Sequence, residues 1–167
     1  PCVRRAVGAH GLSDRGIGRV HQFTQREQIV ICHPDDSWGH HEELLQNAVD
    51  LWDSLGLHYR VVNICTGDMG TVAAKKYDLE AWLPGAGSYK EVVSCSNCTD
   101  YQANRLRMRY RTKEGNESVH TLNSTAVATS RALVAIMEQN QLKDGRVRVP
   151  EVLRPYMGEK EILESLK

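Results

Sequence analysis

No uninterrupted apolar run in this chain approaches the roughly twenty residues that a helix needs to cross a bilayer. The first residues lack the charged, apolar and small-residue succession of a secretory signal. Both absences point to a cytoplasmic protein without membrane attachment. Charge of one sign is also lacking: 21 Lys and Arg balance 21 Asp and Glu. No global field therefore draws the chain toward nucleic acid, and any polyanion site has to be local. The cysteine count of 5 is odd, which argues against a disulfide framework and leaves reduced thiols as the default. Neither G-x-x-x-x-G-K-[ST] nor a properly placed G-x-G-x-x-G occurs, so both common backbone cradles for phosphate are missing. A nucleotide, if bound, must be held by charged side chains.

What is present suits one domain: 167 residues, 41% hydrophobic and 25% charged, enough for a substantial core. Two clusters raise the question of metal. Cys95-Ser96-Asn97-Cys98 is a lone C-x-x-C without the second pair that structural zinc usually takes. "CHPDDSWGHHEE" from Cys32 reads more simply as a helix start, with Asp36 or Ser37 as N-cap and Leu45, Val49, Trp52 and Leu55 near helical spacing.

Along the chain, "CVRRAV" and "GRVHQFTQREQIVICH" alternate like strands around a glycine-rich hairpin loop. A helix follows from about Trp38 to Leu55, then a strand, "HYRVVNIC". "VAAKKYD" reads as a short helix, and "LEAWLP" and "YKEVVSCS" as two strands. "TDYQANRLRMRYR" begins as a helical turn capped by Thr99 and continues as a strand with Arg105, Arg107, Arg109 and Arg111 on one face. "ESVHTLNS" is a further strand, and "DGRVRVPEVLRPYMG" closes the chain with a short extended piece. Strands in hairpin-like succession favour an α+β fold, an antiparallel sheet with helices packed on one face.

Arg131 looks misplaced in this pattern, inside an apolar helix with Val127 and Ala135 one turn away. A guanidinium cannot discard its charge, so it needs a route to water or a standing anion. Arg4 and Arg19 on the first hairpin and the carboxylates Glu27 and Glu91 are the other candidates. By period 2, Arg19, His21, Phe23 and Glu27 share one face, a row suited to a planar, charged ligand or simply to solvent.

"RVHQFTQREQ", "KEVVSCSNCTDYQA", "HTLNSTAVATSRALVAIMEQ" and "VPEVLRPYMG" occur in this order. Together they resemble the catalytic core of seryl-tRNA synthetases, and "LHYRVVNICTGDMGTVAAKKYDLEAWLPG" is similar to that family's connecting region, especially in archaeal-looking members. The resemblance covers essentially the whole chain. It implies a class II synthetase-type antiparallel sheet flanked by helices, with the second signature at Cys2 to Glu27 and the third at Thr121 to Arg131. It further implies a single partial catalytic domain over residues 1–167, without the first signature or the tRNA-gripping helical arm.

The implied chemistry is ATP-dependent activation of serine and its transfer to tRNA, by a full-length homodimer. Arg4 matches the arginine that contacts the α-phosphate and the serine carboxyl, and Arg131 the one that reaches the γ-phosphate and flanks the adenine. Phe23 would stack on the other adenine face, with Arg19 near the phosphates. Glu91 and Ser94 match the residues that hold Mg2+, and Glu27, Asn123 and Thr125 those that read serine. His10 and Arg15 would meet the tRNA acceptor end. Ala6 departs from the pattern where a glutamate near the adenine amino group is usual, and Gln25 and Arg26 stand where a Lys-Val pair is common. Two alternatives remain: an arm-less relative that charges a carrier protein, and a degenerate non-catalytic protein.

Overall fold

The computed structural model describes Pro1–Val3 and Gly16–Glu164. Arg4, Ala6, His10 and Arg15, with most of the expected hairpin loop, lie outside those residues. Strands β1 (Cys2–Val3) and β2 (Gln22–Phe23) pair antiparallel. The chain continues into β3 (Gln25–Cys32) and α1 (Ser37–Ser54). Ser37, His41, Leu44, Ala48 and Trp52 are buried, spaced by three and four residues as one helical face requires. Asp36 holds the N-cap position without a side-chain cap bond.

Next come β4 (Tyr59–Asn63), β5 (Lys75–Leu83), β6 (Ser88–Asn97), β9 (His120–Ala128) and α3 (Thr129–Gln139). Five strands form one antiparallel sheet in the order β3-β9-β6-β5-β4. Ala48 and Trp52 of α1 and Ala132 and Ala135 of α3 bury Leu79, Ala81 and Val93 on one face of it. Fully burying a side chain as large as Trp52 contributes on the order of 3 kcal/mol, and its indole Nε1 donates to the Ala126 carbonyl at 3.3 Å. The α+β class and the one-sided helical cover agree with the sequence pattern.

Five local expectations are corrected. "VAAKKYD" is not helical: from Lys75 it belongs to β5, because Lys76, Asp78 and Glu80 alternate with Tyr77, Leu79 and Ala81, and the latter two fill the core. The four-arginine face does not form. Arg105 lies on α2 (Tyr101–Leu106), Arg107 caps it at φ 55°, and only Arg109 and Arg111 reach β7 (Arg109–Arg111), which pairs with β8 (Asn116–Ser118). Asp100, not Thr99, holds the N-cap position of α2. Val127 lies near the end of β9 rather than in the helix, so Arg131 sits in the first turn of α3. The row from Arg19 to Glu27 is also broken: β2 begins only at Gln22, so Arg19 and His21 lie outside the strands, and β3 starts separately at Gln25.

Helix α3 is fastened at both ends. The Thr129 backbone N–H and hydroxyl both donate to the Thr24 carbonyl, at 3.0 and 2.8 Å. At the other end Gln139 Nε2 donates to the carbonyls of His58 and Trp82 at 3.0 and 2.8 Å, while its Oε1 accepts from the His58 N–H at 2.6 Å. Beyond α3, β10 (Val147–Arg148) pairs with β11 (Ile162–Leu163) around a 3-10 turn at Glu151–Met157.

Candidate active site

The sheet face away from α1 and α3 carries a polar floor whose composition follows from register. Arg60 pairs with Glu80, and Glu80 with Glu91. Asp78 pairs with Ser94, and Lys76 with Ser96, which pairs in turn with Asn123. Side chains two apart on a strand share a face. Thr125 therefore joins Asn123 on β9, and Glu27, paired with Thr125, joins them on β3.

Glu91 and Ser94 are three residues apart, a spacing that would send them to opposite faces of a regular strand. A bulge resolves this. The β5–β6 register shifts between Leu79 and Glu80, leaving Val92 as the extra residue, and Val92 and Val93 are both buried, at 3% and 1% exposure. Two successive side chains thus point into the core while Glu91 and Ser94 emerge together on the floor.

One pocket at the margin of this floor is lined by Phe23, Gln25, Glu91, Thr125 and Arg131, among others. Arg19 falls between Gly18 and Val20, which also line it. Arg131 reaches from α3 to β6: its Nη1 donates to the Glu91 carbonyl at 2.8 Å and to the Glu91 carboxylate at 3.2 Å. Its route out of the apolar environment is thus toward a standing anion at the mouth of a pocket.

Beside it, the Thr125 hydroxyl donates to Glu27 Oε1 at 3.1 Å and accepts from Gln25 Nε2 at 3.0 Å. Gln25 also hydrogen-bonds Glu27 directly. Desolvation pushes the Glu27 carboxyl above its ordinary range, and the Thr125 hydrogen bond opposes that shift. The Asn123 amide donates to Cys98 Sγ at 3.5 Å.

Two residues of the site were not legible as such. Gln25 registered only as a departure from a common pair, although its position two before Glu27 placed it on the same face. Asp78 falls in "VAAKKYD", whose pattern predicts a helix and hides its alternation with Lys76 and Glu80. It is 5% exposed, with Lys76 Nζ 3.3 Å from Oδ2. Burial first, and the neighbouring Glu91 charge second, raise its carboxyl above the usual range, while Lys76 and Ser94 pull it back.

The other sequence clusters do not converge. His41 is buried with Nε2 on the Cys95 carbonyl at 3.1 Å, His40 pairs with Glu43 at 3.0 Å, and His33 accepts from the Asp35 N–H at 3.3 Å. Cys95 lies in the core beside Leu44 and Leu122. As hard oxygen donors on one face, Glu91 and Ser94 suit a hard divalent ion. Asp78 Oδ1, buried and without a hydrogen-bond partner, adds negative potential beneath them, so the donor set fits Mg2+.

Residues 1–140 match the family profile described as tRNA synthetase class II core domain (G, H, P, S and T). The chain is 64% identical over 166 residues to a serine–tRNA ligase of Methanospirillum hungatei JF-1, covering 98% of this chain and 39% of that protein. It is 58% identical to the serine–tRNA ligase of Archaeoglobus fulgidus, over 94% of this chain and 35% of that protein. Among solved structures, seryl-tRNA synthetase from Pyrococcus horikoshii complexed with ATP superposes with a TM-score of 0.94 at 53% identity, over 99% of this chain and 37% of that one. The cytoplasmic serine–tRNA ligase of Naegleria fowleri in complex with AMP gives 0.92 at 48% identity.

Proposed function

The chain belongs to the class II tRNA synthetase core family, and from that premise we propose that it forms the adenylate-making part of a serine–tRNA ligase. A serine carboxylate oxygen attacks the α-phosphorus of ATP, the bond to pyrophosphate breaks, and seryl-adenylate forms. A terminal ribose hydroxyl of tRNA then attacks the seryl carbonyl and releases AMP. Two anions must be brought together in the first step, so fixed positive groups do more for it than any acid or base.

In this reading Arg131 exchanges Glu91 for the γ-phosphate and packs over the adenine opposite Phe23. Arg4 and Arg19 serve the remaining phosphates, Arg4 also meeting the serine carboxyl. Glu91 and Ser94 would hold Mg2+, which would supply charge neutralisation at the phosphates. Glu27, Asn123 and Thr125 read serine: a site built to hydrogen-bond a hydroxyl rejects alanine by leaving its own polar groups unpaired. Transfer to tRNA past His10 and Arg15, and assembly as a cytoplasmic homodimer, belong to the same reading. Among the described residues no helix is long and apolar enough to cross a membrane.

The observation that carries this reading is the single pocket joining Phe23, Glu91, Thr125 and Arg131. The similar proteins being serine–tRNA ligases favours tRNA over a carrier protein as acceptor. The chain covers 39% of the first of those relatives, so the test belongs to the full-length protein. Serine-dependent exchange of labelled pyrophosphate into ATP is expected, with alanine inert. ATP binding without any serine-dependent exchange would refute the assignment.

A further inference from the structure

We propose that Asp78 is a positioning residue for the cation site. From its buried place on the same face it orients the Ser94 hydroxyl and supplies negative potential beside Glu91. This rests on the proposed placement of Mg2+ at Glu91 and Ser94. Asp78 stands directly across the β5–β6 ladder from Ser94, on the face that also presents Glu80 and Glu91. A serine hydroxyl is neutral and rotates freely, so it ligates a cation well only when its proton is directed elsewhere. Asp78 is a buried acceptor directly across from Ser94, and a proton pointed toward it leaves the Ser94 lone pairs free for a cation.

Geometry separates this role from that of an ordinary buried ion pair. Lys76 satisfies Oδ2 at 3.3 Å, and the pair is well shielded, with side-chain exposures of 17% and 7%. The second oxygen, Oδ1, has no hydrogen-bond partner. A carboxylate serving only Lys76 would be expected to find a donor for both oxygens, because an unpaired buried acceptor is costly. Lys76 holds the group in place, and the second oxygen remains available to the Ser94 side. Bonded acceptors behind metal ligands typically tune affinity 10- to 100-fold.

The test uses the full-length protein with a non-hydrolysable ATP analogue and Mn2+ as the probe, free Mn2+ being read by electron paramagnetic resonance. Asp78→Asn should weaken Mn2+ binding about tenfold, with the affinity of serine for the activating site unchanged. Loss of the charge partner of Lys76 could by itself loosen the fold, so the double variant Lys76→Met/Asp78→Asn is measured alongside. Replacing both members of a buried pair is often neutral for stability. A deficit that persists in the double variant supports the proposal. Recovery of wild-type Mn2+ affinity there would make Asp78 a structural partner of Lys76 and overturn it. Glu91→Gln distinguishes the underlying reading: if that variant binds Mn2+ as wild type does, the cation site itself is misplaced and the role of Asp78 falls with it.

Discussion

Arg131 Nη1 donates to both the backbone carbonyl and the carboxylate of Glu91, at 2.8 and 3.2 Å, joining the first turn of α3 to the bulged strand β6 across the mouth of the pocket. The proposed γ-phosphate ligand and the proposed Mg2+ ligand thus neutralise each other before substrate arrives. Nucleotide and cation together can replace both halves of the pair without leaving either charge unpaired.

Arg131→Ala should weaken ATP about 10- to 100-fold, the usual value of a hydrogen bond to a charged group. Thermal stability should shift little, since a partly exposed ion pair contributes less than about 1 kcal/mol. Calorimetric titration with ATP beside a melting curve checks both. A large stability loss with unchanged ATP affinity would mark the residue as structural.

Thr125→Val tests the serine-reading corner. It removes the hydroxyl that donates to Glu27 and accepts from Gln25 while keeping the side-chain shape. The KM for serine in pyrophosphate exchange should rise, and preference for serine over alanine should fall by at least about tenfold. Unchanged selectivity would remove Thr125 from the pocket.

The unusual place of Arg131 and the sheet class could be read from the chain, because one rests on a charge in apolar surroundings and the other on local alternation. Asp78 could not. "VAAKKYD" contains good helix formers, and only the packing of Leu79 and Ala81 against α1 and α3 decides for a strand. Likewise, Arg105 and Arg107 have the spacing of a strand face, but the turn of α2 reverses the chain at Arg107, φ 55°. In both places a tertiary contact or a left-handed residue overrides a plausible local pattern.

His41 provides a prediction for pH. Its Nε2 lies on the Cys95 carbonyl, which only accepts, so Nε2 carries the proton and Nδ1 is left as a buried acceptor without a partner. Burial holds its pKa below the ordinary value, against the opposing pull of the Cys95 carbonyl. A base with a depressed folded pKa stabilises the native state above the unfolded pKa, and that contribution is lost as pH falls through about 6.5. Denaturant midpoints should therefore drop between about pH 7.5 and 5.5, and His41→Phe should flatten the dependence while lowering the midpoint at neutral pH. An identical slope in both proteins would assign it to other groups.

Thiol chemistry should be site-selective. Cys65 is exposed, whereas Cys95 is buried and its thiol is pushed up to about 11, chiefly by burial. Alkylation by iodoacetamide at about pH 8 should label Cys65 and leave Cys95 untouched until the chain is unfolded, because the thiolate is the reactive form. Mass spectrometry of the labelled peptides reads the order directly, and early modification of Cys95 would contradict the packing around it.

The extra residue at Val92 makes the partnership of Glu91 with Ser94 a matter of counting rather than of chemistry. Every substitution at that position preserves the count. Straightening the bulge while keeping that residue would turn Glu91 toward the helices and strand Arg131 as well, whereas removing the residue together with the bulge would leave Glu91 and Ser94 two apart and still on one face. An apolar residue is still required there, because Val92 is buried in the core, but what joins the two ligands is that the length of β6 and its bulge change only together.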